Sequence, residues 1–311
     1  MVLSERLLPT EVTAPRVDVA TMAAELARHS PAVCLTGAGL STESGIPDYR
    51  GPDGRRRVMP MTHGEFVATS EARQRYWARS YIGWDRFAAA RPNAGHRAVA
   101  ALQRSGVLGA VITQNVDGLH REAGSEDVLE LHGSLADVVC LTCGARSGRE
   151  PLQRRMSEAN PRFAALALGA RPDGSRVSSQ IRPDGDVVLP DDAVLGFVTP
   201  RCLNCGADTL KPDVVFFGGS VPRERVERCL ALVDAAPALL VLGSSLAVMS
   251  GYRFVRRARA RGIPVLVVTR GATRGDAETT HHLDAALGPA LTGILEALQL
   301  TGTDADAAAR P

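Results

Sequence analysis

The chain has 311 residues, and its 36 basic and 34 acidic side chains give a formal charge of only +2. This length suffices for roughly two domains of ~150 residues with a substantial core. The near-neutral charge excludes the basic surface that binds nucleic-acid phosphates without sequence preference, so we expect no nucleic-acid partner.

No apolar run approaches the ~18 residues of a membrane span, and residues 1–31 lack the pattern of a secretory signal. We therefore expect no membrane partner and a cytoplasmic location. Lysine occurs once, at Lys211, and we attribute the excess of arginine to a compositional bias of the genome. Cys34 lies in an apolar run and Cys229 in a helix-length segment, so both are expected to be buried core thiols.

Short apolar runs alternate with segments of helix length along most of the chain. Several runs lack period-two alternation, which is typical of parallel strands covered on both faces. The predicted strands are Ala32–Thr36, Val107–Thr113, Val214–Phe217, Ala238–Leu242 and Ile263–Val268. The predicted helices are Val19–His29, Gly95–Gln103, Arg223–Ala235 and Tyr252–Arg261. This alternation predicts an α/β fold with a doubly wound parallel sheet.

Two stretches interrupt this rhythm. Residues 58–91 contain both tryptophans and are predicted to be helical around Glu71–Arg79, which indicates an inserted helical module. Residues 144–200 are broken by prolines and carry Asp-Gly turns at 173–174 and 184–185. We expect residues 301–311 to form a frayed tail.

Four cysteines form two C-x-x-C pairs, Cys140 with Cys143 and Cys202 with Cys205, each followed by a glycine. Two intervening residues let both thiolates face one ion, and two such pairs complete a tetrahedron. The spacer of 58 residues exceeds that of a compact zinc ribbon, so a redox-active thiol pair or two unrelated turns remain alternatives. Four sulfur ligands leave no open coordination position, so the predicted site holds one structural zinc ion.

The first predicted strand runs into a glycine-rich loop that begins Gly37-Ala38-Gly39. Glycines at the carboxyl end of a strand let backbone N–H groups approach phosphate oxygens, and Ser41 adds a hydroxyl donor. Thr42 replaces the third glycine of the dinucleotide fingerprint, so this loop alone could be a tight turn without a ligand. Two further predicted strands end in polar loops, at residues 114–120 and 243–246. Because ligands of open α/β sheets lie outside the carboxyl ends of the strands, a polar nucleotide is predicted there.

Six blocks of sequence resemble, in order, those of the sirtuins, a family of NAD-dependent protein lysine deacylases. They are Gly37–Ser41 with Gly45–Arg50, Thr113–His120, Leu131–Gly133, the two cysteine pairs, Val214–Gly218 and Gly243–Leu246. The resemblance covers about residues 20–298. Residues 73–79, 172–174 and 210–218 further resemble the class II sirtuins, whose human mitochondrial form has weak deacetylase, lipoamidase, longer-chain deacylase and ADP-ribosyltransferase activities.

This resemblance implies a discontinuous Rossmann-like NAD-binding domain and a smaller zinc-binding domain with a helical insert. The expected limits are 19–57, 96–135 and 213–300 for the NAD-binding domain, 58–95 for the insert, 136–212 for the zinc-binding domain and 301–311 for the tail.

In the reaction that the resemblance implies, an acyl-lysine carbonyl oxygen attacks C1′ of the nicotinamide ribose and releases nicotinamide. The acyl group then passes to the 2′-oxygen, which yields O-acyl-ADP-ribose. His132 is the implied general base on the ribose hydroxyls, beside the acyl-lysine tunnel for which Gly133 leaves room. Asp117 accepts hydrogen bonds from the carboxamide, and the ring of Tyr49 shields C1′ from water.

The implied NAD contacts are Gly37, Ala38, Gly39, Ser41, Gly45, Ile46, Pro47, Asp48, Tyr49, Arg50, Gln114, Asn115, Val116, Asp117, Gly243, Ser244, Ser245, Thr269, Arg270, Gly271 and Leu287. The acyl-lysine peptide is expected to bind as an added strand, with sequence-independent main-chain pairing that admits many target proteins. Its implied partners are Val215, Phe216, Phe217, Gly218 and Gly219.

Thr269 departs from the family, which usually places an asparagine there to bind the adenine ribose. Arg270 could compensate by stacking or by pairing with phosphate. Arg75 and Arg79 could favour acidic acyl groups. Two alternatives use the same pocket: protein mono-ADP-ribosyl transfer, and long-chain or lipoyl deacylation. An NAD-sensing module without catalysis is disfavoured because His132 and its neighbouring motifs are intact, and the oligomeric state is not predicted.

Overall fold

The structure is a computed structural model that describes residues 8–50, 59–163, 182–187, 189 and 194–300. Its strands are β1 (Ala32–Thr36), β2 (Leu108–Thr113), β3 (Val128–Glu130), β4 (Gly133–Cys140), β5 (Arg146–Gly148), β6 (Leu210–Val214), β7 (Leu239–Leu242), β8 (Val265–Val268) and β9 (His281–Leu283). Its helices include α1 (Val19–Arg28), α2 (His63–Ala68), α3 (Ser70–Ala88), α4 (Ala94–Arg104), α5 (Leu119–Glu122), α6 (Arg149–Ala159), α7 (Arg223–Ala235), α8 (Met249–Ala260) and α9 (Leu287–Ala297), with a 3₁₀ helix at Ala38–Ser44.

Six parallel strands form the large sheet in the order β3-β2-β1-β7-β8-β9. The chain winds outwards from β1 in one direction and then from β7 in the other, as in a Rossmann fold. β1, β7 and β8 are buried along their whole length because helices cover both faces of the sheet. Apolar side chains of α1, α4 and α9 pack on one face, and those of α7 and α8 pack on the other. The predicted doubly wound fold is confirmed.

Local sequence explains where several of these helices begin. Asp18 accepts a hydrogen bond from the N–H of Thr21 at 2.8 Å and so caps α1. Thr62 with Glu65 and Asn93 with His96 form reciprocal capping boxes that start α2 and α4.

One predicted strand, Val214–Phe217, is wrong. β6 ends at Val214, and it pairs antiparallel with β4 in a separate three-stranded sheet of order β5-β4-β6. The run is apolar because Phe216 packs against aromatic rings, at 5.3 Å from Phe66 and 5.2 Å from Tyr76 between centroids, and not because it crosses the large sheet.

The three-stranded sheet and helices α2, α3 and α6 share one hydrophobic core, and we call this part the small lobe. The predicted helical module is present as α2 and α3, but it has no core of its own. Trp77 donates its indole N–H to the Leu210 carbonyl oxygen at 2.9 Å, which ties α3 to β6. The fully buried guanidinium of Arg149 lies 4.6 Å from the ring centroid of Trp84 and 5.3 Å from that of Trp77.

Gly185 has the positive φ that the predicted Asp-Gly turn at 184–185 requires. The turn at 173–174, residues 51–58 of the predicted domain limits, and the tail 301–311 lie outside the described residues. The domain limits therefore stay a prediction. Within the described chain, none of the helices combines the length and the apolar character that a bilayer crossing requires.

Candidate active site and metal centre

The loops that follow β1 and β7 touch each other where the winding of the sheet reverses. A Cβ on Gly37 would lie 2.9 Å from the Gly243 carbonyl oxygen, and a Cβ on Gly39 only 2.8 Å from it. The N–H groups of these two glycines donate to Leu242 and Gly243 carbonyl oxygens, both at 2.9 Å. The fold itself uses both of these donors, and the expectation that backbone N–H groups of this loop approach phosphate stays a prediction. The glycines let two loops pack backbone to backbone.

A hydrogen-bonded chain of polar side chains lines this edge of the sheet. Asn115, which is buried, donates to the Gly37 carbonyl oxygen at 3.1 Å and to the Ser41 hydroxyl at 3.0 Å. Ser41 in turn donates to the Asp117 carboxylate at 2.7 Å. Burial raises the pKa of Asp117, and the hydrogen bond from Ser41 opposes this shift. The loops after β1 and β2 thus meet as predicted.

Gln114 connects that chain to the loop after β7. Its side-chain amide donates to the Ser244 hydroxyl at 2.8 Å and to the Thr36 carbonyl oxygen at 3.2 Å. A Cβ on Gly251, in the first turn of α8, would lie 2.5 Å from the same amide group. We call the carboxyl ends of β1, β2, β7 and β8, with the loops that follow them, the cofactor edge.

His132 lies between β3 and β4, where the chain leaves the large sheet for the small lobe. Its Nδ1 is 2.9 Å from the Gln114 carbonyl oxygen, and its Nε2 is 2.9 Å from the Ser250 hydroxyl. A carbonyl oxygen only accepts, so Nδ1 carries the proton and Nε2 presents a lone pair. Burial lowers the pKa of His132 to about 4, so the ring is neutral near pH 7.

Ser250 contacts the implied base, and the sequence analysis missed it. It stands in the first turn of α8, seven residues after Gly243, and no motif in the sequence marks it. Its hydroxyl donates to Nε2 of His132 because that nitrogen can only accept. The signal that could have found it is the position of α8, which begins directly after the polar loop of β7.

Gly133 is required where β4 passes β6. It has φ +83°, and a Cβ there would lie 1.9 Å from the Asp213 carbonyl oxygen. The close approach allows the N–H of Val215 to donate to the His132 carbonyl oxygen at 2.8 Å. The implied base and the first residue of the implied peptide-binding segment are therefore joined by one hydrogen bond.

The loop after β1 contacts the segment that follows β6. The ring of Tyr49 meets that of Phe217 edge to face, with centroids 5.4 Å apart. Phe217 also accepts a hydrogen bond from the N–H of His63 at 2.8 Å, which attaches the segment to α2. The predicted cofactor loop and the predicted substrate segment are in contact.

The end of β8 completes the cofactor edge. The Thr269 carbonyl oxygen is 3.1 Å from Nε2 of buried His282, and the N–H of Gly271 donates to the Asp284 carboxylate at 2.9 Å. Arg270 is exposed. A Cβ on Gly243 would lie 2.6 Å from the Leu287 side chain, so Leu287 contacts the loop that follows β7. In the small lobe, Arg79 donates to the Leu189 carbonyl oxygen at 3.3 Å.

The four paired cysteines come together in the small lobe, and we call them the cysteine cluster. Their sulfur atoms all lie within 4.8 Å of one another. Sγ–Sγ distances are 3.6 Å for Cys140 with Cys205 and 3.7 Å for Cys143 with Cys202. These match the edges of a tetrahedron of Zn–S bonds of ~2.3 Å, and they are too long for disulfides of ~2.05 Å.

Local backbone geometry explains why the cysteines face one point. The glycines after each pair, Gly144 and Gly206, have φ of +73° and +74°. Each donates its N–H to the backbone carbonyl oxygen of the first cysteine of its pair, Cys140 or Cys202, at 2.9 Å, so the two turns are closely alike. Asn204 also donates to the Cys143 sulfur at 3.4 Å, which suits a thiolate. The donor set and its spacing fit a structural zinc ion. Cys34 and Cys229 are fully buried elsewhere, as predicted.

Known proteins share this architecture. A sequence model of the Sir2 family matches residues 37–250. An NAD-dependent protein deacetylase of Streptomyces coelicolor is 53% identical over 307 residues, which cover 96% of this chain and 99% of that protein. The chain belongs to the Sir2 family. The resemblance to sirtuins is thereby confirmed. The relative from Streptomyces coelicolor is described as NAD-dependent.

Solved structures of Sir2 proteins agree with this membership. A Sir2 protein with a p53 peptide and NAD⁺ aligns with a TM-score of 0.70 and 26% identity, and covers 92% of this chain and 100% of that one. A Sir2 protein bound to a myristoylated histone peptide aligns with a TM-score of 0.62 and 26% identity over 90% of this chain and 96% of that one.

Proposed function

We propose that this protein is an NAD-dependent protein lysine deacylase that releases nicotinamide and O-acyl-ADP-ribose. The observation that carries the proposal is the unprotonated Nε2 of His132, which lies between the polar cofactor edge and the Val215 segment. The names of the relatives, which describe NAD-dependent deacetylases, support the same activity.

The residues of the cofactor edge fit NAD by their chemistry. NAD supplies a ribose carbon at which nicotinamide can be exchanged for an acyl oxygen. Asp117 and Asn115 offer a carboxylate and an amide that can pair with a carboxamide and ribose hydroxyls. Their present partners, Ser41 and the Gly37 carbonyl oxygen, hold both side chains in place before any ligand binds.

His132 performs the proton transfer in this proposal. Nε2 takes a proton from a ribose hydroxyl, and the Gln114 carbonyl oxygen stabilises the imidazolium through Nδ1–H. The Ser250 hydroxyl occupies that hydrogen-bonding position in the free protein, so it must yield Nε2 to the ribose. Tyr49 closes the site against water through its contact with Phe217.

We assign the acyl-lysine peptide to the Val215–Gly219 segment, because it follows β6 directly and contacts both His132 and Tyr49. The rings of Phe216, Phe66 and Tyr76 pack together in the core of the small lobe behind this segment, and we call them the aromatic wall. Longer-chain deacylation, in which the acyl chain would lie against this wall, is the second candidate. The myristoylated peptide bound by a related Sir2 protein is consistent with it.

The test is a panel of acetyl-, succinyl-, glutaryl-, lipoyl- and myristoyl-lysine peptides, with NAD-dependent release of nicotinamide as the readout. We expect turnover of at least one peptide and its loss, by roughly 10²–10⁴-fold, in His132→Ala. His29→Ala is the matched control, because His29 lies at the end of α1, away from the edge. Labelled NAD that marks the protein acceptor without O-acyl-ADP-ribose would instead establish mono-ADP-ribosyl transfer.

We also propose the class II branch and a cytoplasmic location. The first proposal rests on the small-lobe motifs at residues 73–79 and 210–218. The second rests on the cysteines, since none of the six forms a disulfide, which suits a reducing compartment. Fractionation of cells followed by immunodetection tests the location.

A further inference from the structure

Lys211 is the only lysine of the chain, and its ammonium group is buried beside the proposed peptide segment. The residue is 6% exposed. Nζ donates to the Pro212 carbonyl oxygen at 2.9 Å and also to the Val214 carbonyl oxygen. It lies 4.3 Å from the centroid of the Phe216 ring, at its face. The ammonium is thus surrounded by two carbonyl oxygens and an aromatic ring.

No carboxylate of the described residues forms an ion pair with Lys211. Asp213, the nearest acidic group, is paired with Arg146 of β5 instead. On the side of α3, Arg73 is paired with Asp208 and also donates to the Phe66 carbonyl oxygen. A buried ammonium without a carboxylate is costly, so an apolar side chain of equal length would be the more stable choice for packing alone.

The contacts of Lys211 lie where the chain must bend. Gly133 pairs with Val214, and the register between β4 and β6 shifts between Gly133 and Val138. Directly after this irregularity, the N–H of Val215 bonds to the His132 carbonyl oxygen, and Phe216 turns into the aromatic wall. Nζ of Lys211 thus contacts the Pro212 carbonyl oxygen before the bend, the Val214 carbonyl oxygen within it and the Phe216 ring after it.

We propose that Lys211 is a positioning residue that fixes the Val214–Phe216 bend, and with it the backbone and ring that receive the acyl-lysine peptide. This inference rests on the proposed function and adds a specific partner to the peptide site. Lys211 touches neither His132 nor the cofactor edge, so it acts on peptide binding and not on NAD.

The first experiment compares wild type, Lys211→Met and the matched control Arg154→Met, which removes an exposed cation of α6 in the same lobe. Initial rates are measured against peptide at saturating NAD and against NAD at saturating peptide, and peptide affinity is measured directly by fluorescence anisotropy. Lys211→Met is expected to raise the peptide KM and Kd about tenfold, a change typical of one lost positioning contact, with kcat and the NAD KM within about threefold. Arg154→Met is expected to match wild type.

The second experiment needs no variant, so it tests the role of Lys211 in peptide binding even if Lys211→Met does not fold. In protein labelled with ¹³C-lysine, Lys211 gives the only side-chain Cε signal, and burial lowers its pKa to about 8, against the effect of Asp213. Peptide affinity, with a peptide that has no other titratable group, is expected to fall as this signal deprotonates between pH 7 and 9.5.

The outcomes separate the two proposals. Wild type without NAD-dependent deacylation overturns the proposed function. Normal deacylation with an unchanged peptide KM in Lys211→Met overturns the role of Lys211 alone, as does peptide affinity that stays constant while the Lys211 signal titrates.

Discussion

The cofactor edge and the cysteine cluster are both built from loops that leave strands, but different interactions stabilise them. At the cofactor edge, polar side chains bond to one another, as in the chain from Asn115 through Ser41 to Asp117. In the cysteine cluster, four sulfurs lie 3.6–3.7 Å from their nearest sulfur neighbours, and thiols are weak hydrogen-bonding partners. The edge is preorganised without its ligand, whereas the cluster depends on an ion.

Removal of the ion is expected to have the largest effect. Structural zinc contributes on the order of 10 kcal/mol in small zinc domains, so Cys202→Ser or chelation should unfold the small lobe. Both tryptophans lie in α3 and pack in this lobe, so their fluorescence reports on it specifically. Metal analysis should give one zinc per chain in wild type and in Cys229→Ala, the control thiol outside the cluster. A native Trp spectrum after complete chelation would show that the small lobe stays folded without the ion, which would contradict the dependence stated above.

Gly133→Ala is expected to have the second-largest effect on stability, because Gly133 lies where the chain passes from the large sheet to the small lobe. The left-handed conformation alone costs ~1–2 kcal/mol, and a Cβ 1.9 Å from the Asp213 carbonyl oxygen forces β4 and β6 apart. Gly106→Ala is the control, since Gly106 has φ +76° and open space around its Cβ position. Urea unfolding of both variants separates conformational strain from the clash. Equal losses in the two variants would refute the close approach.

The pH dependence of stability tests whether the histidine side chains buried near the cofactor edge are neutral in the folded protein. Burial lowers the pKa of His96 to about 4 and that of His120 to about 3. The unfolded chain, with a pKa near 6.5, binds more protons than the folded one in this window, so stability falls as pH falls from 6.5 towards 4. At pH 5 each ring should cost about 2 kcal/mol relative to pH 7. Urea titrations at both pH values should show a loss that is about 4 kcal/mol smaller in the His96→Phe/His120→Phe variant than in wild type. The variant keeps the cysteine cluster and His132, whose pKa burial also lowers to about 4, so the loss that His132 causes remains.

Ser250→Ala is expected to have the smallest effect. The bond from Nδ1 of His132 to the Gln114 carbonyl oxygen remains, so the tautomer is preserved and only the restraint on the ring is lost. We expect kcat to fall roughly two- to fivefold, equivalent to up to ~1 kcal/mol, with the NAD KM unchanged. ¹⁵N chemical shifts of the imidazole should still show Nδ1–H. A loss as large as that in His132→Ala would make Ser250 part of the proton transfer itself.

The same contrast explains what the sequence could predict. The cysteine cluster follows from two local spacings, because each C-x-x-C turn and its glycine fix two ligands without help from the rest of the fold. The parallel sheet is likewise visible, since strands buried on both faces are uniformly apolar.

The parts that were missed depend on contacts between distant segments. Ser250 meets His132 only because the first turn of α8 lies against the turn between β3 and β4, and no local sequence pattern indicates this contact. The run at 214–217 was interpreted as a strand because burial against aromatic rings and burial in a sheet leave the same apolar signature. The sequence likewise does not show that the loop after β7 lies against the two loop glycines.

The bond between Trp77 and the Leu210 carbonyl oxygen joins residues 133 positions apart. A ribosome that adds 5–20 residues per second completes α3 roughly ten seconds before it makes β6. For that interval the aromatic face of α3 has no sheet to cover it. The nascent chain therefore exposes the apolar face of α3 until β6 has been synthesised, so the small lobe can complete its core only late in synthesis.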